Sequence, residues 1–124
     1  MKQAGLYVAH LFLAREMAHR AHLRATGPGS YAAHVALGEF YEGVVPLADS
    51  FAEACQGEYQ ELLDVPLLDN EYEGEIADVL EQIKAWIQDN QDDITGKDQR
   101  ALGNLVDEAV ALFQSTLYKL RLLE

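Results

Sequence analysis

A single cysteine, Cys55, rules out a disulfide within the chain and makes a reducing, cytoplasmic compartment the expectation. No CxxC pair is present, so the common cysteine-based zinc and redox motifs are excluded. Lysine and arginine are scarce, 9 against 21 aspartates and glutamates, giving a net charge of −12 and a pI near 4.5. Phosphate contacts need clustered cations, so direct binding to nucleic acid or to an anionic membrane is not expected. Long apolar runs are missing too. His10, Arg15 and Glu16 interrupt the apolar N-terminal stretch before it reaches the roughly 18 residues of a membrane span, so neither a span nor a signal peptide is expected there. No Gly-rich loop follows a strand pattern, and no Ser, Cys or His arrangement suggests a hydrolase.

What is present is helical periodicity. The 124 residues, 49% hydrophobic, suit one domain over 1–124 with a real core. Residues 2–25 place Leu6, Leu13, Met17 and Ala21 at helical spacings, with apolar coverage wide enough to bury two faces. Thr26-Gly-Pro-Gly29 breaks that helix, and Ser30 is the expected N-cap of a second, 31–56, bent at Pro46 or short of one backbone bond there. The period disappears over 57–73, a connection with one helical turn expected at 60–64. Fully extended it reaches about 55 Å, against about 38 Å for the second helix, so it can run the length of a bundle. A third helix over 74–90 carries Ile76, Val79, Leu80, Ile83, Trp86 and Ile87 on one face. Thr95-Gly-Lys-Asp98 reads as the capping-box start of a fourth, with Leu102, Leu105, Val106, Ala109, Phe113 and Leu117 as its stripe. The expected fold is all-α: a four-helix bundle with a long connection between helices two and three.

The chemistry concentrates between His22 and Glu53. His22 closes the first helix, and His34, Asp49 and Glu53 fall within about a 100° sector of the second. Imidazole and carboxylate together suit iron, zinc or manganese. His34 and Asp49 lie about 22 Å apart along one helix, so they cannot share an ion within one chain. Two chains pairing antiparallel along that face would build two equivalent mixed sites.

This pattern resembles the Dps family, small ferritins that oxidise and store iron. The family's motif is a His, a second His twelve positions on, an Asp fifteen further and a Glu four after that, with a Gly five past the first His; here these are His22, His34, Asp49, Glu53 and Gly27. Two positions depart: Gly38 stands where the family usually has an Asp, and Leu23 where a Trp is common. Tyr31-Ala-Ala-His34 and Ala36-Leu-Gly-Glu-Phe-Tyr41 are also similar to short phage-encoded ferritin-like proteins. The resemblance implies a ferritin-like bundle with a lengthwise second connection, a homo-oligomer built from dimers up to a dodecamer, and ferroxidase chemistry with iron at His22, His34, Asp49 and Glu53. Glu39, beside Gly38, is the nearest substitute for the missing acid, and Glu42 is better placed on the face. A site within one chain from His10, Asp49 and Glu53 is the alternative ligand set. His19 reads as structural or exposed, and Tyr31 and Tyr41 as packing residues or electron relays. The rival function is a non-catalytic structural or interaction protein, for example a phage particle component, located in the host cytoplasm or the virion.

Overall fold

The computed structural model describes residues 1–69 and 71–123, and its regular structure is helical: α1 (Lys2–Leu23), α2 (Ser30–Tyr59), α3 (Ile76–Asp89), α4 (Gln91–Thr95) and α5 (Arg100–Leu122). No strand occurs among the described residues. The all-α expectation therefore holds, with one short helix more than the sequence suggested.

The turn between α1 and α2 is made by Gly27 and Gly29, at φ 88° and 78°, a region open to glycine at no steric cost. Gly29, not Ser30, occupies the N-cap of α2, and Ser30 is already helical. α2 then runs unbroken past Pro46, whose ring is exposed to solvent, and ends three residues later than expected at Tyr59. The Tyr59 hydroxyl donates to the Thr95 carbonyl at 2.7 Å, tying this last turn to α4. Gln60 then terminates the helix in the left-handed conformation. That termination removes the helical turn expected at 60–64. Instead the Gln56 side chain accepts a hydrogen bond from the Leu63 amide at 2.9 Å. The connection is pressed so closely on α1 that a Cβ at Gly5 would overlap the Asp64 carbonyl.

The expected capping box at Thr95 is not formed. Thr95 is buried at the end of α4, its hydroxyl within 3.1 and 3.0 Å of the Gln91 and Gly96 carbonyls, so it closes one helix rather than opening the next. α5 begins at Arg100 with no side-chain cap.

α2 packs on α1 and α5, α3 packs on the same two helices, and α4 fills between α1 and α5. The core they share includes Leu11, Leu37, Phe40, Phe51, Leu80, Ile83, Ile87 and Phe113. Burying each such side chain is worth about 1.5–3 kcal/mol. Phe40 meets Phe113 edge-on at 5.0 Å, joining α2 to α5. Cys55 is fully buried in this core, which pushes its thiol pKa up; it is a packing residue.

Candidate functional site

His22 sits in the last turn of α1, where carbonyls have no helical partner. His34 sits in the second turn of α2, directly opposite across the Gly27–Gly29 turn. His34 Nδ1 lies 3.0 Å from the His22 carbonyl, and His22 Nδ1 lies 2.7 Å from the His34 carbonyl. A carbonyl oxygen only accepts, so each Nδ1 carries a proton and donates it. In the neutral rings the lone pair is therefore on Nε2 in both, the atom left for any further partner. The two rings stack with centroids 3.7 Å apart and planes 21° apart.

Two more groups extend the cluster. Tyr41, one turn past Gly38 on α2, stacks on His19 at 4.2 Å and meets His22 edge-on at 5.3 Å. His19 is itself edge-on to His22 at 6.2 Å. Gly38 leaves the room for this: a Cβ there would stand 3.4 Å from the His22 ring. Gly38 is thus where the His22 imidazole packs against α2.

The remaining candidates are not drawn to this cluster. Glu39 is ion-paired with Lys119 at 2.7 Å, so as a substitute ligand for His34 it is already engaged by α5. Glu42, Asp49 and Glu53 are exposed on α2 and have no ion pair among the described residues. Because α2 is continuous, Asp49 stays about 22 Å from His34 along its axis. His10 does not face Asp49. It is buried, with Nδ1 donating to the Leu6 carbonyl at 2.8 Å and Nε2 3.0 Å from the Tyr72 hydroxyl, and its ring lies on Trp86 at 3.9 Å. Both its nitrogens are used, which removes the ligand set within one chain. Burial holds its pKa below the ordinary value, against smaller opposing effects of the Leu6 carbonyl and the Glu71 charge. Tyr31 is 80% exposed and stands outside the ring cluster.

The donor set can be tested against a metal. An ion bound to imidazole lies near the ring plane, about 2.0–2.1 Å from nitrogen for zinc. Two stacked, nearly parallel rings aim their lone pairs along parallel planes that do not converge on one point. One ring must swing out before both can hold one ion. Consistent with this, no group of three or more His, Cys, Asp or Glu side chains among the described residues is placed to hold a metal. The nitrogens have the right chemistry, but no carboxylate among the described residues joins them in a group that could hold an ion.

Fold and site together define an all-helical bundle with a paired-histidine end. The chain belongs to a family described as "Family of unknown function (DUF5856)", whose model matches residues 22–120, from His22 through most of α5. No curated protein and no solved structure matches it. Among the described residues no helix is long and apolar enough to cross a membrane.

Proposed function

We propose that this chain is a Dps-like mini-ferritin that binds Fe(II) between two copies, oxidises it and stores the ferric product. The observation that carries the reading is the His22 and His34 pair, both of whose Nδ1–H groups are directed to backbone carbonyls, which leaves the Nε2 atoms without an intramolecular role at one end of the hairpin; both reach one ion only once one ring has swung out of the stack. At the far end of the same stripe of α2, Asp49 and Glu53 stand one turn apart. Ionised carboxylates at that spacing repel, and a cation offsets the repulsion. An antiparallel pair of copies would bring the imidazoles of one to the carboxylates of the other. Iron is then the substrate: each Fe(II) gives one electron to dioxygen or peroxide and moves inward as Fe(III). Zinc and manganese suit the same donors and would compete. The net charge of −12 favours cation uptake.

The fold is consistent with the ferritin-like topology. α2 and α3 each pack on α1 and α5 rather than principally on each other, which supports the diagonal placement of an up-down-down-up bundle; such a bundle would need a lengthwise connection between them. Closure through further symmetry, up to a dodecamer, completes the proposal. Stoichiometric Fe(II) titration of the native protein and of His34→Ala tests it. Oxidation in the native protein and its loss in the variant is the expected result; equal, negligible rates in both would sink the catalytic part.

A second reading is favoured by one set of contacts: the histidine rings are stacked, the His22 ring packs where Gly38 has no side chain, and Glu39 is held by Lys119. On this reading the bundle is a non-catalytic structural or interaction protein, such as a phage particle component, and the histidines only clasp α1 to α2. Elemental analysis of protein purified without chelator separates the two. Bound iron in a closed oligomer supports the first, and a metal-free chain supports the second.

A further inference from the structure

We infer that the apolar groove between α2 and the connection after it is a docking site for a basic amphipathic helix of a partner protein. The inference rests on the second reading above, that of an interaction protein, and adds to it the chemistry of the partner.

The groove has a volume of 530 Å³ and is lined by Phe12, Leu13, Val45, Pro66, Leu67 and Leu68, with Arg15 and Glu16 also bordering it. Leu67 is 102% exposed and Phe12 41%, so this apolar surface meets solvent. The residues that α1 contributes, from Ala9 to Glu16, recur at helical spacing over two turns, so the trough runs along that helix. An amphipathic helix fills such a trough with apolar residues at i, i+3, i+4 and i+7.

Charge chooses the partner. From Ala25 to Ile83 the chain has thirteen acids and no lysine or arginine, and α2 and the connection on the two sides of the groove both belong to that stretch. Glu42 and Asp49 stand one turn before and one turn after Val45 on its side of α2, about 10 Å apart along the axis. Asp64 and Asp69 bracket Pro66, Leu67 and Leu68 on the connection. All four carboxylates are exposed, and none has an ion pair among the described residues. Pro46 brings no amide hydrogen, so the Glu42 carbonyl lacks its usual helical donor and is one more acceptor on this stretch of α2. The one cation in the lining, Arg15, lies 3.7 Å from Glu16, which Arg20 also engages at 3.0 Å. An apolar floor between two rows of unpaired acids suits leucine-type anchors flanked by lysine or arginine. It repels an acidic helix, and it disfavours a second copy, which would bring the same acids to the same place.

The test is fluorescence anisotropy of the full chain with a labelled peptide of about 18 residues, leucine at i, i+3, i+4 and i+7 and lysine elsewhere. A scrambled peptide of the same composition and a peptide with glutamate for lysine are the controls. The native chain should bind the leucine–lysine peptide one to one, more weakly as salt rises. Phe12→Asp and Leu67→Asp each add negative charge, so general attraction to an acidic protein would tighten binding. Seating in the groove predicts binding roughly tenfold weaker instead, with unchanged far-ultraviolet circular dichroism. Leu67 is wholly exposed, so its variant removes no core contact. The double variant Glu42→Gln, Asp69→Asn should also bind more weakly, and Leu123→Asp, in the separate groove beside Lys119, should not. Undiminished binding in the two groove variants would overturn the inference, as would equal binding of either control peptide. So would a native chain that binds no leucine–lysine peptide because a second copy closes the groove. Peptide binding by an iron-loaded oligomer would uphold the groove and defeat the interaction-only reading. A metal-free chain that binds no peptide would overturn the inference and leave that reading standing, so the two fail separately.

Discussion

His22 and His34 each donate a ring Nδ1–H to the other's backbone carbonyl, at 2.7 and 3.0 Å, with the rings face to face between them. The arrangement caps a carbonyl at the end of α1 and ties that end to α2. Replacing either histidine by alanine should cost about 1 kcal/mol in chemical unfolding, the net worth of a typical protein hydrogen bond plus the lost stacking. The double variant should cost less than the sum, because the first loss already breaks the stack. Strict additivity would mean that the rings do not act as a pair.

Gly38→Asp places a carboxylate one turn from His34, beside the His22 ring. The new Cβ stands at contact distance from the His22 ring, so the carboxylate has to displace that ring from its stack. Metal affinity should rise, read by Co(II) absorption, while metal-free stability falls or stays level. Unchanged affinity would show that the missing acid is not what limits binding.

Tyr7 is fully buried edge-on to Phe51 at 4.7 Å, and its hydroxyl has no hydrogen-bond partner among the described residues. An unsatisfied buried hydroxyl carries a desolvation cost of about 1–3 kcal/mol. Tyr7→Phe keeps the ring and removes that cost, so unfolding should shift to higher denaturant by about 1 kcal/mol or more. Gly5→Ala should act in the other direction, because its methyl meets the Asp64 carbonyl; overpacking of this kind costs about 1–3 kcal/mol.

His10 supplies the pH dependence. Its folded pKa lies below the unfolded value of 6.5, so the unfolded chain binds the proton more readily. The stability it contributes is fully present above pH 6.5 and is lost as pH falls through the lowered folded value. The groups facing it are Tyr72 and Trp86, with the Glu71 carboxylate near enough to oppose the shift. His10→Gln should flatten the fall in stability below pH 6.5. An unaltered profile would assign the acid sensitivity to other groups.

Much of this was legible in the sequence because it was local. The Gly-Pro-Gly breaker, the one-sided stripe of α3 and the apolar face of α5 each lie within a few turns of chain. The proximity of His22 and His34 followed from a short turn that forces adjacent antiparallel helices. Other features depended on contacts no local pattern carries. Lys119 captures Glu39 from 80 residues away. Tyr72 and Trp86, on the connection and on α3, turn His10 from a candidate ligand into a buried structural group. α4 is five residues long and too polar to show a periodic stripe. His19 was discounted although it lies three residues before His22 and so shares its face; that spacing was the available signal, and Tyr41 completes it only in three dimensions.

The most direct measurement of the central claim uses two variants that should each be inactive alone: a His22→Ala, His34→Ala chain and an Asp49→Ala, Glu53→Ala chain, combined and purified as the heterodimer. In an antiparallel pair one site loses all four ligands and the other keeps all four. Metal titration should then find one site per heterodimer, half the native number, against none in either parent. No site in a heterodimer shown to have formed would contradict metal binding between copies of this chain.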